Sequence, residues 1–421
     1  MNPVLKTLQT SRLIPRPRLA RTAVMCGALA LTLVPGMEVA RGASPRDAGP
    51  IVVGASLPMT GPLGVFGPLI KQGYQLAVDD VNSEGGLSLG GSKRMVALHL
   101  LDNQSDPNTA SAQARTLILR DNAIALLGAA TPPLNNPLSV VADQLKRPLV
   151  TSFVPVHAWL GGRPSGWQYA WDLFTDEVRF GDVQYQTANL VKTNRRVALF
   201  TDTEQDGIVE GQIFAQRAPA FGYKIVYHAS FAPGTTDFSS QIAAAQAANA
   251  QVMIAQMTPP DAITLWKQMK ALGYRPVAVF CEKCGDAGGF RQALGTLAEG
   301  TLAGNWWSAS VGYPQTQRFV ARYAKQLGGI TPDLSTIVTA YSIARVLFDA
   351  VVAAQSTDPV AINAALARTH KTYPLGPLAF APNHFDSLPQ VMDQWQGTSA
   401  VQVFPTGKAA IQIEAPAPGL Q

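Results

Sequence analysis

From residue 51 onward, short apolar runs alternate with segments whose apolar residues recur every three or four positions. Ile51–Leu57 (IVVGASL) reads as a strand, ended by the turn cluster Pro58-Met59-Thr60-Gly61-Pro62. Leu69, Ile70, Tyr74, Ala77, Val78 and Val81 then share one helical face, closed by Gly85-Gly86. Met95–Leu101 reads as a strand, and Asp106-Pro107 supplies an N-cap and first-turn proline for a helix through Leu119. Strands Ala123–Leu127 and Pro148–Thr151 flank a helix around 137–146. The rhythm resumes with strand Val197–Thr201, helix 207–220, strand Ile225–Phe231 and a helix capped by Asp237. Strand Val252–Gln256, helix 260–272 and strand Val277–Phe280 follow.

Strands and helices alternating at this spacing predict parallel sheets covered by helices on both faces. The rhythm begins near residue 51 and again near 197, which predicts two similar α/β lobes. Trp167–Asp172 reads as a crossover strand between them. Helices at 315–327 and 335–354, then strands Gly376–Phe380 and Val391–Trp395, imply a return to the first lobe and a further crossing. The expected division is 43–172 with 306–378 as lobe 1 and 173–305 with 379–405 as lobe 2. Residues 406–421, rich in Ala, Pro and Gly, are expected to be a frayed tail.

The formal charge of +5 suggests a nucleic-acid or anionic-membrane partner until its distribution is inspected. Residues 1–42 hold Lys6, Arg12, Arg16, Arg18, Arg21 and Arg41 against one acid, Glu38. Taking these from the totals of 33 and 28 leaves 27 basic and 27 acidic residues, a neutral remainder. The basic stretch precedes an apolar run, Ala23–Val34, and then Ala40-Arg41-Gly42, small residues at −3 and −1 of a cut before Ala43. That order is the signature of a secretory signal peptide over 1–42, and it predicts an exported protein with no nucleic-acid role. The apolar run is shorter than the roughly 20 residues a spanning helix needs.

Three motifs need weighing. Leu57-Pro58-Met59-Thr60-Gly61 matches a cell-wall sorting string but sits after the first strand, where a turn is expected. Asp202-x-Glu204-x-Asp206-Gly207 opens like a calcium loop, yet its twelfth position is Ile213 rather than the required glutamate. Cys281-x-x-Cys284 fits a local disulfide, a free pair or a redox dithiol; no second CxxC or histidine pair completes a zinc sphere. Nothing else calls for a metal or cofactor. GxSxG, HExxH, Walker and GxGxxG signatures are absent, so no enzyme class is indicated.

The opening Ile51–Pro62 run, Phe66-Gly67, Gly73 and Ala77-Val78-Asp79-Asp80-Val81-Asn82-Ser83-Glu84-Gly85-Gly86 resembles the start of the branched-chain amino-acid periplasmic binding proteins. Asp102 with Asp106-Pro107, Gly128, Pro148–Thr151, Phe238 in DFSSQI, Ala271-Leu272-Gly273, Glu299-Gly300 and Gly376-Pro377-Leu378 continue the resemblance, which spans about 50 to 400. It implies a type I periplasmic binding protein, α/β, with three crossovers and a ligand held in the cleft between lobes. It also implies a monomeric solute-binding subunit that hands a small molecule to the membrane permease of an ABC importer. An exported sensor and, further off, a CxxC redox protein are the alternatives.

Carried over position by position, the resemblance places Phe66 beside the cleft and Glu282 where a family acid grips the ligand ammonium. Thr131 is kept in the first α-carboxylate loop, but Pro132 stands where a serine would give both O–H and N–H. The second loop supplies Ser152 and Phe153. Asp206 replaces one tyrosine, and Met257 lies at the strand end where another is expected. Losing several charge-assisted hydrogen bonds to a carboxylate costs several kcal/mol, so a bulkier, aromatic solute is expected rather than leucine or valine. Phe153 and Trp159 either offer that solute a flat surface or pack in the core.

Overall fold

The computed structural model describes residues 49–421 except 162, 164, 286, 287, 310, 311, 330, 332 and 407–410. The expected signal segment, 1–42, lies outside the described residues. One sheet has six strands in the order Phe385–Ser387, Ala170–Phe174, Leu149–Thr151, Ala125–Leu127, Ile51–Leu57 and Val96–Asp102, all parallel. The other has seven, ordered Ser399–Phe404, Val391–Gln396, Thr301–Asn305, Ala278–Glu282, Val252–Gln256, Arg196–Asp202 and Lys224–Phe231. Its last five are parallel, and Val391–Gln396 with Ser399–Phe404 forms an antiparallel edge hairpin. This is the two-lobed α/β architecture that the alternating pattern predicts.

The chain passes between the sheets after Phe174, after Asn305 and again between Ser387 and Val391. Two expected boundaries shift accordingly. Phe174 still belongs to the first sheet, and Phe385–Ser387 pairs with Asp172–Phe174, so the return to lobe 2 falls after Ser387 rather than at 379. Three residues of sequence carry too little periodicity to reveal that strand. Gly376–Leu378 joins neither sheet and pairs with Lys371–Tyr373 in a separate hairpin.

The tail is also corrected. Ile411 N–H donates to Gln402, Ala417 N–H to Val277 and Gly419 N–H to Glu299, and Leu420 is buried. Its apolar residues and backbone donors satisfy the edge of lobe 2, which composition alone hides.

Local chemistry explains the helices that frame the cleft. The Asp106 carboxylate accepts the Thr109 N–H and Pro107 opens the helix Pro107–Leu119. The helix expected around 137–146 begins earlier, at Thr131, because Pro132 and Pro133 occupy first-turn positions where no N–H is required. Asp333–Ala354 is long and apolar enough to cross a membrane, but it is largely buried in lobe 1. It packs on the helix Gly67–Ser83 at Gly73, where an added Cβ would sit 2.4 Å from the Ile337 carbonyl oxygen. Gly73→Ala therefore forces two backbones apart and should cost about 1–3 kcal/mol. A urea midpoint unchanged from the parent would show that the helices are not in that contact.

Candidate functional site

Parallel strands leave their carboxyl ends at one edge of a sheet, where ligands of open α/β folds collect. Thr151, Phe174, Asp202, Gln256 and Glu282 are each the last residue of such a strand. A cavity of about 50 Å³ lies between the two lobes. Lobe 1 lines it with Phe66, Ile70, Ala130, Thr131, Phe153, Pro155, Phe174 and Thr336, and Trp306 stands at the second crossing. Lobe 2 adds Asp206, Glu210, Glu282 and Lys283.

The apolar wall is a ring cluster. Phe174 and Trp306 meet edge to face at 4.6 Å between centroids, and Phe153 lies 5.7 Å and 6.0 Å from them. Both Phe174 and Trp306 sit where the chain changes lobe, so the cavity floor is part of the hinge. The Trp306 indole N–H is spent on the Thr339 hydroxyl at 2.8 Å. Asp102 fixes the turn that leads to Phe66, accepting N–H bonds from Met59 and Thr60 and the Thr60 hydroxyl.

The polar wall is acidic. Lys283, its side chain 7% exposed, lies 2.6 Å from Glu204, 2.9 Å from Asp206 and 3.6 Å from Asp202. Burial alone would lower its pKa, but the three carboxylates prevail and hold the ammonium charged. Asp202 is the farthest partner, and burial pushes its carboxyl up to about 7 despite the lysine. Glu210 is raised well above its usual range by burial, then by the charges of Glu282 and Asp206 and a hydrogen bond with Glu282. Asp206 and Glu210 lie four residues apart on the helix Gln205–Arg217, hence on one face.

The Asp202, Glu204 and Asp206 oxygens lie within 4.8 Å of one another. The Lys283 ammonium already occupies the space among them, so the trio serves as its counter-ion rather than as a calcium loop. Cys281 and Cys284 form a disulfide that brackets Glu282 and Lys283. Cys281 is 1% exposed and Cys284 fully buried, which removes the access a redox dithiol needs.

Thr131, Phe153 and Lys283 have φ of +59°, +65° and +60°. Left-handed backbone at a non-glycine residue costs on the order of 1 kcal/mol or more. Three such residues at one cavity mark loops held in place for what they face.

Of the residues singled out by sequence, Phe66, Thr131, Phe153, Asp206 and Glu282 line the cavity. Pro132, Ser152 and Met257 do not. Pro132 is turned into the first helical turn, the buried Ser152 hydroxyl donates to Leu173, and Met257 packs in the lobe 2 core. Trp159 is fully buried against Trp167 and Phe385 and belongs to the core. Sequence reasoning missed Glu210, Lys283, Phe174 and Trp306. The i, i+4 spacing from Asp206 could have found Glu210, and proximity to the expected crossings could have found the two aromatics.

Direct hydrogen bonds span the cleft. Gln205 donates to the Ala158 carbonyl at 2.8 Å and accepts from Asn136 at 2.8 Å. Buried Glu177 accepts the backbone N–H groups of His157 and Ala158 and pairs with the His157 ring at 2.7 Å. The lobes are thus closed on one another. A larger recess of about 260 Å³ lies elsewhere, on lobe 1, where Arg322 already pairs with Asp80 and Lys371 with Asp349. Lobe 2 contributes no described residue to it.

The model of the periplasmic binding protein family matches residues 50–392. The chain belongs to this family. As a periplasmic binding protein it is 24% identical to Leu/Ile/Val-binding protein homolog 7 of Brucella abortus, over 89% of this chain and 96% of that one. The branched-chain amino acid transporter substrate-binding protein of Streptococcus pneumoniae, solved with isoleucine, superposes with a TM-score of 0.72 at 19% identity. That match covers 84% of this chain and 99% of the other. A solute-binding protein of an ABC transporter from R. palustris, solved with benzoate, gives 0.70 at 19% identity over 88% and 97% of the chains. The fold of this binding protein is therefore that of the type I periplasmic binding proteins.

Proposed function

We propose that the protein is the extracytoplasmic solute-binding subunit of an ABC importer, which captures a small organic solute by closing two lobes and presents it to a membrane permease. One observation carries this reading: a cavity lined from both lobes at the carboxyl ends of both sheets, with direct hydrogen bonds across the cleft beside it. A site split between two bodies is completed only by closure, so contacts made in the closed state set the affinity. The segment 1–42 would deliver the chain across the membrane as an export signal. Affinity for a solute follows from the ring cluster for its body and the carboxylates for its polar end.

A cavity of about 150 Å³ is the size that admits benzene, and the closed cavity here is about 50 Å³. An aromatic or branched solute must therefore part the walls and leave the loaded protein less tightly shut than this structure. Thermal shift and small-angle scattering with a panel of amines, amino acids, aromatic acids and amides test the reading. At least one class should raise the melting temperature by several degrees and change the radius of gyration. A panel that moves neither quantity would count against solute binding.

A further inference from the structure

Every solute needs its polar end matched, and the two lobes offer unequal chemistry for that. A carboxylate needs donors, and beyond the Thr131 and Thr336 hydroxyls the donors around this cavity are scarce. Pro132 and Pro133 remove two N–H groups from the first turn of the helix Thr131–Leu145. The Ser152 hydroxyl is committed to Leu173 and the Trp306 indole to Thr339. Lys283, the one cation among the described lining residues, is held by three carboxylates.

Acceptors are abundant instead. Thr131 Oγ1, Asp206 Oδ1 and Glu210 Oε2 are buried and lack a hydrogen-bond partner, and all three residues line the cavity. Their residues are only 5%, 4% and 1% exposed, so water does not satisfy these oxygens and a bound polar group would. Five carboxyl groups, those of Asp202, Glu204, Asp206, Glu210 and Glu282, surround a single ammonium. Across the cavity stand the rings of Phe153, Phe174 and Trp306, an apolar surface for a hydrocarbon body.

We propose that the solute is a small organic ammonium ion with an apolar body and no carboxylate. This rests on the solute-binding reading and specifies its ligand. The ammonium carries N–H groups, because the orphaned acceptors need donors that a quaternary nitrogen lacks. Its nitrogen sits between Glu210, Glu282, Asp206 and Thr131, and its hydrocarbon part lies against the three rings. Glu210 and Glu282 share a hydrogen bond, and a bound cation displaces the proton between them to solvent. Asp206, Lys283 and Glu177 are the other charged groups around Glu210.

Matched pairs test this on the full mature protein by titration calorimetry at pH 7.5. The probes are 3-methylbutylamine against L-leucine and 2-phenylethylamine against L-phenylalanine, with benzoate as the anion. At least one amine should bind at least ~10-fold tighter than the amino acid with the same side chain, about 1.4 kcal/mol, and benzoate should bind weakest. Glu282→Gln should weaken the amine by at least ~10-fold with an unchanged circular dichroism spectrum. An amino acid or benzoate that binds as tightly as the amines overturns the ammonium assignment while leaving solute binding intact. Amine affinity unchanged in Glu282→Gln overturns it as well. If no compound binds and scattering stays flat across the whole panel, the solute-binding reading falls with it.

Discussion

Lys283→Met should destabilise the protein by roughly 3–5 kcal/mol, the cost of leaving buried charge without its partner. The lysine side chain is 7% exposed and lies within 3.6 Å of three carboxylates, two of them almost fully buried. Removing the ammonium leaves Asp202, Glu204 and Asp206 to repel one another in a medium that screens poorly. The loss should shrink at pH 5, where protonation relieves that repulsion. Arg217→Met is the contrast, because its pair with Asp182 is 36% and 24% exposed, is screened by solvent and should contribute far less. Urea unfolding of both variants at pH 7.5 and pH 5 reads the difference. Equal, small losses would mean that the Lys283 cluster is solvated.

Wild-type protein should be less stable at pH 8 than at pH 4.5. The groups responsible are carboxyls whose folded pKa is raised. Burial lifts Asp393 to about 6, against the pull of a hydrogen bond from Asn305, and lifts Asp202 to about 7. A raised pKa means that folding favours the protonated form. Its stabilisation is complete below the ordinary carboxyl value near 4 and is lost as pH rises through about 6 for Asp393 and about 7 for Asp202. At 1.36 kcal/mol per pH unit, Asp393 alone contributes roughly 3 kcal/mol across its window. Asp172 and Glu210, raised well above their ordinary values mainly by burial, act in the same sense. So does His157, raised by its hydrogen bond to Glu177. His228 and His384, lowered by burial, act in the opposite sense, so a single substitution is needed to isolate one group. Asp393→Asn keeps an acceptor for the Asn305 amide and should flatten the profile between pH 4.5 and 8. A wild-type urea midpoint that rises across that range would contradict the assignment.

The parts of this fold legible in sequence are those with a local physical signature. Buried parallel strands such as Ile51–Leu57 read as apolar runs, and Asp106-Pro107 announces a helix start by its capping chemistry. Phe385–Ser387 is recognisable only through its pairing with Asp172–Phe174, more than 200 positions earlier, and no local pattern encodes that partner. The site shows the same division. Glu282 and Phe66 come through a resemblance of residue order, whereas Lys283 matters because three acids from a distant segment surround it. Met257 shows the opposite error, since the correct strand end turns its side chain into the core.

The hydrogen bonds from Asn136 and Gln205 across the cleft owe nothing to any solute. At a net worth of about 1 kcal/mol each, the pair biases the resting population of empty protein toward the shut form by roughly thirty-fold. A solute then supplies only the rest of the closing free energy, and its apparent affinity gains accordingly. Under the importer reading proposed above, the same bias has a cost at the membrane. An empty shut protein presents the same two-lobed outline as a loaded one and competes with it for docking. A transporter served by such a protein must tell cargo from vacancy by something other than lobe closure.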